Sequence, residues 1–473
     1  MAENIREIVL DTLLDLERKG EYSHKLVKAV LDKFSYLEER DRAFYKRVTE
    51  GTLERQLELD YYLDCYSKLP VRKMRPLIRC LLRMSVYQLL YMDAVPDSAV
   101  CNEACKLAAK RGFQSLKGYV NGILRTIARQ RGNLPMPEAT KEPVPYLSVK
   151  YSMPEWLVEL WLKEYGWKIT ETILQGLLQI HPVSLRFQSG MSEKEQETYC
   201  ALMEAQGAKL SPNPYLSGMY LLERTGGEEG IRSLPGFEEG IYTVQDVSSA
   251  LAVVAAGIQE GDFVVDCCGA PGGKSIFAGE LIGSGRVLAR DISEEKVALI
   301  EENIRRMRAE NIETQIYDAT DTDEKLTGKA DVVLLDVPCS GLGVMGKKRD
   351  IKYQISQEKI KELSQLQKKI VKSCAPYVKQ GGVLLYSTCT IHRGENQEMV
   401  RFMTEELGFI PASLEEILPE KLWERKKEIE EEMRRAGKEP WAGLTEEENA
   451  ACIQLLPGYM EADGFFIARF RRG

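Results

Sequence analysis

After residue 240 the chain alternates short apolar runs with helical segments, and this pattern constrains the fold more than any other feature. Most of these runs are dense in Val, Leu and Ile, and each ends at or beside an acid or a cysteine: DFVVDCC, GRVLARD, TQIYDA, DVVLLDVPC and GGVLLYSTC. Apolar strands separated by helices are typical of a mostly parallel sheet covered on both faces. We therefore predict a doubly wound α/β domain over residues 239–473, with the closing GFFIARFRR as an antiparallel edge strand.

Two further domains are predicted before this sheet, as expected for 473 residues. Residues 1–135 keep apolar residues at a helical period and indicate an all-α helical bundle. The proline-rich stretch GNLPMPEATKEPVPYL then marks a domain boundary. Residues 145–238 mix helical segments with short strands, which predicts a small α+β module.

Composition excludes several classes of protein. The first twenty residues carry acids and no uninterrupted apolar run, so they predict an amphipathic helix, no membrane association and a cytoplasmic location. The eleven cysteines are odd in number and irregularly spaced, which argues against a disulfide framework. With only three histidines, no metal site is expected. Nothing in the sequence demands more than a monomer.

The first strand leads into a glycine-rich turn and a helix, an arrangement that cradles a ligand on backbone N–H groups. The turn is neither GxGxxG nor a Walker loop; it consists of Cys268, Gly269, Ala270, Pro271, Gly272, Gly273 and Lys274. Asp291 ends the second strand and is placed to accept hydrogen bonds from ribose hydroxyls. Asp318 ends the third predicted strand and could contact an adenine. Either aspartate alone could equally be a helix cap, and a nicotinamide cofactor is the rival ligand.

Two cysteines follow the ends of the last two parallel strands. Cys339 lies in DVPCSGLG after Asp336, and Cys389 lies in YSTCT, followed by Glu395-Asn396. Methylation at C5 of cytosine needs a thiolate that adds to C6, because C5 by itself is a poor nucleophile. Taken singly, each cysteine is more often a buried small apolar residue. Their occurrence at two neighbouring strand ends favours the catalytic interpretation.

Basic residues cluster locally although the net charge of the chain is −8. The run from Lys106 to Arg131 contains seven basic residues and no acid. We predict that it binds RNA, as does a second basic segment; the residues are Lys106, Lys110, Arg111, Arg125, Lys347, Lys348 and Arg349. A solvated helix face would account for the charge of the first run equally well.

At these motifs the chain resembles the RNA cytosine-C5 methyltransferases of the Nol/Nop/Sun family. The resemblance rests on DxCxAPGGK, DxPCSGxG and STCT, and the helices ending in YVNGILR are similar to the NusB-type RNA-binding domain. A NusB-like domain before this catalytic domain is the arrangement of the bacterial Sun/RsmB type. The resemblance implies a Rossmann-like class I fold and S-adenosyl-L-methionine as cofactor. It implies 16S rRNA, naked or in an early 30S assembly intermediate, as substrate, with cytosine 967 as target.

Residue roles follow from the same resemblance. Cys389 would attack C6, and Cys339 would assist release of the methylated product. The glycine-rich turn with Asp291, Asp318 and Asp336 would bind the cofactor, with Asp336 also near the base and Lys274 close to the reacting centre. The family usually has alanine at Gly269.

Two other segments bear on the resemblance. The family carries an Arg-Arg-His-Pro run around residues 347–353, where this chain lacks the histidine and proline. The charged segment 422–441 is outside the motifs, and we predict a solvated surface helix there.

Two alternatives remain at the level of sequence. The same chemistry could act on tRNA or 23S rRNA, since base choice depends on pocket shape and RNA fold. A non-catalytic RNA-binding assembly or antitermination factor would be expected to lose the motif residues, and all of them are present.

Overall fold

The computed structural model describes residues 4–19, 23–179, 182–224, 230–441 and 443–473. Contacts divide the chain into two compact units. Unit 1 comprises Met1–Leu174 and Met345–Gln354, and unit 2 comprises Gln175–Val344 and Ile355–Gly473. This division does not separate residues 145–238 as a third body, so the three sequence-based boundaries (1–135, 145–238, 239–473) stay a prediction. No helix in the described part of the chain is both long and apolar enough to cross a membrane.

Unit 1 is built from helices around one apolar core. Leu10, Val48, Leu82 and Val120 are fully buried in that core, each from a different helix. Pro76 opens its helix, because a proline in the first turn loses no helical hydrogen bond. The helices are α1 (Ile5–Lys19), α2 (Ser23–Lys33), α3 (Glu39–Glu54), α4 (Gln56–Tyr66), α5 (Pro76–Tyr91), α6 (Asp97–Lys110), α7 (Lys117–Arg129), α8 (Pro143–Tyr151), α9 (Glu155–Tyr165) and α10 (Trp167–Leu178), the last of which runs into unit 2.

A four-stranded antiparallel sheet opens unit 2, in the order β2-β3-β1-β4. Leu185 and Tyr242 are fully buried in its core, where they pack with Met203 of the accompanying helix. The elements are β1 (Val183–Phe187), α11 (Glu193–Ala205), β2 (Lys209–Pro212), β3 (Met219–Arg224) and β4 (Tyr242–Val244). The predicted α+β character of this region is confirmed.

The second sheet has eight strands in the order β10-β12-β9-β8-β5-β6-β7, with β11 paired to β12. Strands β5 to β9 pair in parallel, and the pairs made by β12 are antiparallel. The strands are β5 (Phe263–Asp266), β6 (Arg286–Asp291), β7 (Ile312–Ile316), β8 (Ala330–Asp336), β9 (Val378–Thr388), β10 (Phe409–Pro411), β11 (Cys452–Leu455) and β12 (Phe465–Arg472). The doubly wound, mostly parallel sheet is confirmed. The closing strand is antiparallel as predicted, but it is not at an edge, since it has neighbours on both sides.

The remaining helices of unit 2 are α12 (Val247–Ala256), α13 (Gly273–Leu281), α14 (Glu294–Met307), α16 (Gln357–Cys374), α17 (Gln397–Arg401), α18 (Glu420–Arg435) and α19 (Glu446–Ala450), whereas α15 (Ile351–Gln354) belongs to unit 1. The prediction that residues 422–441 form a solvated helix is wrong for one face of α18. Leu422 and Ile429 are fully buried there. The ammonium of Lys426 donates to the carbonyls of Asn449 and Cys452, so a basic residue that looked solvated lies inside.

The segment Met345–Gln354 leaves the eight-stranded domain and folds with the helices of unit 1. Asp350 accepts hydrogen bonds from the backbone N–H and the hydroxyl of Ser23, at 2.8 and 2.7 Å. The Lys352 ammonium donates to the carbonyl oxygens of Glu54 and Ser152, both at 2.6 Å. Lys352 is 4% exposed, and this burial lowers its pKa to about 7.

Lys352 should make the stability of unit 1 depend on pH. Between its folded pKa and its ordinary value, the unfolded chain holds a proton that the folded unit lacks, so raising the pH favours the fold. From about pH 7 to about pH 9, we expect the wild type to gain about 2 kcal/mol in unfolding free energy relative to Lys352→Met. Urea unfolding followed by circular dichroism measures the difference. Parallel pH profiles for the two proteins would contradict the assignment.

Candidate active site

The glycine-rich turn joins β5 to the N-terminus of α13. The N–H of Gly269 donates to the carbonyl of Arg290 at 2.8 Å, and the N–H of Gly272 donates to that of Gly269 at 2.7 Å. Gly272 has φ = +104°, a conformation that favours glycine, and a Cβ there would lie 3.2 Å from Ile300. The turn therefore exposes backbone N–H groups at a helix start, as predicted for a cofactor loop.

Asp266, at the end of β5, is a site residue that the sequence-based prediction omitted. It is 0% exposed and accepts a 2.6 Å hydrogen bond from the hydroxyl of Ser275. Its Oδ1 has no hydrogen-bond partner among the described residues. Burial raises the pKa of Asp266 to about 6. A Cβ at Gly269 would lie 3.1 Å from Ser275 Oγ, so the tight packing behind the turn suits the glycine found there. An acid at a strand end, just before the turn, was the available signal.

Asp291 lies at the end of its strand as predicted, whereas Asp318 does not end its strand but lies two residues beyond β7, which ends at Ile316. Asp291 ends β6, and its Oδ2 accepts the N–H of Ala270 at 3.1 Å, which ties this strand to the glycine-rich turn. Its Oδ1 accepts from Lys296 at 2.9 Å. Asp318 lies beyond β7, and its Oδ1 accepts the N–H and hydroxyl of Thr320 at 2.9 and 2.8 Å. Both carboxylates retain lone pairs for a ligand.

Lys274, in the first turn of α13, forms an ion pair with Asp336 at the end of β8. Lys274 Nζ lies 2.6 Å from Asp336 Oδ2, and Ser387 Oγ donates to Asp336 Oδ1 at 2.9 Å. Burial alone would lower the pKa of Lys274, but the charges of Asp336, Asp266 and Cys389 raise it above its ordinary value. Lys274 is therefore a fixed cation beside the nucleophile candidate.

The two candidate cysteines meet. Cys339 Sγ and Cys389 Sγ lie 3.3 Å apart, although the residues are 50 positions apart in the chain. Both side chains are half-buried and both are free thiols. The hydrogen bond with Cys389 and burial raise the pKa of the Cys339 thiol well above its ordinary value, and the charge of Glu395 adds to this. Cys339 is thus a thiol that keeps its proton, in contact with Cys389.

These residues fit S-adenosyl-L-methionine. Its sulfonium and ammonium are cations, and two carboxylates lie against the turn, Asp266 with an unmatched oxygen and Asp291 bonded to Ala270. Asp318 adds a third carboxylate beyond the end of β7, next to β6 in the sheet. Its amino-acid carboxylate suits the free N–H groups at the start of α13. No group of three or more metal-ligating side chains is found among the described residues.

Gly272 should be sensitive to alanine. The substitution combines a left-handed φ with a contact on Ile300, so the turn must shift. We expect Gly272→Ala to weaken S-adenosyl-L-methionine binding about tenfold, equivalent to about 1.4 kcal/mol, measured by isothermal titration calorimetry. Gly261→Ala is the matched control, because Gly261 has φ = +85° but open space around its Cβ. Equal cofactor affinities for the two variants would contradict the prediction, because the contact with Ile300 would then have no effect on binding.

The residues predicted to bind RNA fall into two groups. Several are paired with acids distant in sequence: Lys110 and Arg111 with Glu7, Arg111 also with Asp11. Lys106 pairs with Glu103. Arg125, in contrast, is exposed on α7, and its guanidinium donates to Asn121 Oδ1 at 3.2 Å. RNA contact by these residues stays a prediction.

The second basic segment belongs to unit 1. Arg349 lies 3.0 Å from both Glu50 and Glu54, so its charge is already balanced. Lys347 and Lys348 are exposed. The structure gives Arg349 a role in holding the segment to α3, and RNA binding by Lys347, Lys348 and Arg349 stays a prediction.

Comparison with known proteins agrees with this geometry. Residues 253–471 match the family model described as 16S rRNA methyltransferase RsmB/F, and residues 3–129 match the NusB family. The chain is 34% identical to the probable ribosomal RNA small subunit methyltransferase B of Bacillus subtilis, over 99% of each chain. It is 30% identical to the protein of the same description from Synechocystis sp., again over 99% of each chain.

A solved structure shares the fold. The methyltransferase homolog protein from Pyrococcus horikoshii covers 70% of this chain and 99% of its own, with a TM-score of 0.56 at 21% identity. The resemblance found in the motifs is thereby confirmed over nearly the full length: the chain belongs to the RsmB/F family of methyltransferases and carries a NusB-family domain before its catalytic domain.

Proposed function

We propose that this enzyme transfers a methyl group from S-adenosyl-L-methionine to C5 of a cytosine in 16S rRNA, through a covalent bond between Cys389 and C6 of the base. The observation that carries the proposal is the contact of Cys339 and Cys389 beside the Lys274–Asp336 pair. Two thiols in contact at the ends of neighbouring parallel strands give the chemistry both a nucleophile and a proton donor.

The proposed reaction proceeds through a covalent adduct between Cys389 and the cytosine ring. The Cys389 thiolate adds to C6, and the electron pair of the C5–C6 double bond moves toward C5. The bound cofactor supplies an electrophilic methyl group, which C5 accepts. A base then removes the C5 proton, the double bond re-forms and the S–C6 bond breaks. Cys339, holding its proton 3.3 Å from the departing sulfur, stabilises the leaving thiolate.

Asp336 and Lys274 would orient the base. One oxygen of Asp336 is held by Ser387 and the other by Lys274, so the carboxylate has a fixed direction. A fixed carboxylate accepts a hydrogen bond from the exocyclic amino group of cytosine, which uracil lacks. The Lys274 ammonium would offset negative charge that develops on the ring during addition.

The small ribosomal subunit is the proposed source of the RNA. Two relatives carry that substrate in their names, and each aligns with this chain over 99% of both lengths, including the NusB-family domain of this chain. Within 16S rRNA we propose cytosine 967 as the target. The substrate would be the naked RNA or an early assembly intermediate, in which the base is still accessible.

The test is a methyl-transfer assay with radiolabelled S-adenosyl-L-methionine. Unmethylated 16S rRNA, 23S rRNA and tRNA are compared at equal concentration, and the labelled nucleoside is identified after digestion. We expect label as 5-methylcytidine in 16S rRNA at one position. Label in 23S rRNA or tRNA alone would keep the chemistry and discard the substrate, and label at another atom of cytosine would overturn the mechanism.

A further inference from the structure

Each cysteine loop at the active site is held from behind by buried side chains that the proposed reaction does not use. Glu395 and Asn396, which follow the STCT motif, are both 0% exposed. A carboxylate without access to water is costly unless it is hydrogen-bonded, so its location directly behind two reactive thiols requires an explanation.

Glu395 holds the loop that carries Cys339. Its Oε1 accepts the backbone N–H of Ser340 at 2.8 Å, and its Oε2 accepts the Ser340 hydroxyl. Gln367 of α16 completes the arrangement, because its amide donates to Glu395 Oε1 at 3.0 Å and to the carbonyl of Pro338 at 2.9 Å. The residues on either side of Cys339 are therefore both fixed, one by Glu395 and one by Gln367.

Asn396 does the same for Cys389. Its Oδ1 accepts the hydroxyl of Thr388 at 2.6 Å, and its Nδ2 donates to the carbonyl of Thr390 at 3.0 Å. Ser340 Oγ and Thr390 Oγ1, which belong to the two different loops, are 2.7 Å apart. Two consecutive residues thus hold the two cysteine loops by hydrogen bonds. A shift of either loop would change the distance between the two sulfurs.

We propose that Glu395 and Asn396 are positioning residues that hold Cys339 and Cys389 in contact. The proposal deepens the proposed function and rests on it for its catalytic consequence, although the distance between the thiols is a property of the protein alone. Burial raises the pKa of Glu395 above its ordinary value, and hydrogen bonds from Ser340, Gln367 and Thr390 offset part of this rise. The charge of Glu395 also helps to keep Cys339 protonated.

Thiol proximity can be tested without RNA or cofactor. Diamide removes one hydrogen from each of two adjacent thiols and leaves a disulfide, and the Cys339–Cys389 peptide pair is quantified by mass spectrometry. We expect Glu395→Ala to slow the formation of this disulfide at least about tenfold, because the reaction needs the two sulfurs to approach in one geometry. Glu395→Gln, which can still accept the Ser340 N–H, should fall between wild type and Glu395→Ala.

Catalysis supplies the second readout. Glu395 holds the loop of Cys339, the proposed proton donor, and loss of a proton donor costs about 10²-fold in rate. We therefore expect a loss of kcat of that size in Glu395→Ala, with the KM for S-adenosyl-L-methionine within about twofold. The matched control is Glu448→Gln. Glu448 is also buried and accepts hydrogen bonds from Thr445 and Thr404, but it lies away from the thiols. The control should lower the melting temperature and leave thiol coupling and kcat unchanged.

Wild-type rates of thiol coupling and methyl transfer in Glu395→Ala would overturn the proposal. If that variant does not fold, Ser340→Ala decides by the same two readouts, since it removes only the hydroxyl that links the loops. Absence of methylation by the wild-type protein on every RNA would sink the proposed function instead, while the coupling experiment would still decide whether Glu395 positions the thiols.

Discussion

Cys389→Ala is expected to abolish methyl transfer, with a loss of kcat of about 10⁴-fold or more, as seen when a covalent nucleophile is removed from an enzyme. The reason is that C5 of cytosine becomes nucleophilic only while a sulfur is bonded to C6. Cofactor affinity should change little, because the cofactor loop is held by Asp291 and Arg290 and not by Cys389. Initial rates with labelled cofactor and calorimetric cofactor binding measure the two quantities.

The control for this loss is a cysteine outside the site. Cys200 lies in α11 of the four-stranded module and is buried there. Cys200→Ala should retain the wild-type rate. Normal turnover by Cys389→Ala would refute the nucleophile assignment, and normal turnover combined with inactivity of Cys339→Ala would exchange the two roles.

Cys339→Ala is expected to accumulate a covalent protein–RNA adduct. Addition to C6 and methyl transfer need only the Cys389 thiolate, but its departure is assisted by the neighbouring thiol at 3.3 Å. Loss of a proton donor of this kind costs about 10²-fold or more in rate. The adduct should migrate as a shifted band on a denaturing gel, and the band should carry the methyl label.

The double variant Cys339→Ala/Cys389→Ala separates this result from trapping by any other nucleophile. It should give no shifted band, because no sulfur remains to attack C6. A shifted band in the double variant would assign the covalent bond to another residue. Complete absence of adduct in Cys339→Ala, with turnover intact, would remove Cys339 from the release step.

The sheet and the location of its ligand edge followed from the sequence because their signals are local. Strands β5, β8 and β9 contain continuous apolar runs, and the functional segments follow their strands closely, so the parallel topology brings the strand ends together without further information. Cys339 and Cys389 could be paired on this basis alone. The glycine-rich turn, Asp291, Asp318 and Asp336 were placed in the same way.

Contacts between distant parts of the chain could not be predicted. The run from Lys106 to Arg131 contains no acid, yet Lys110 and Arg111 find Glu7 about 100 positions earlier in the sequence. Arg349 and Lys426 of α18 are further cases. From the charge pattern alone both side chains would be expected in solvent, but Arg349 pairs with Glu50 and Glu54, and Lys426 donates to backbone carbonyls. The role of Glu395 could not be predicted either, because it depends on a hydrogen bond with Ser340, 55 positions away in the sequence.

The segment Met345–Gln354 delays the completion of unit 1 during synthesis. Ser23 and Glu54 leave the ribosome early, but the groups that bind them, Asp350 and Lys352, follow roughly 170 residues after the rest of unit 1 ends at Leu174. At about 5–20 residues per second, this delay is on the order of ten seconds or more. The helices of unit 1 are therefore synthesised well before the segment Met345–Gln354 that completes the unit, and at that point only part of the catalytic domain has been synthesised. A gene fusion that exchanged only the first 174 residues would separate the two, so the helical unit and this decapeptide should be inherited together.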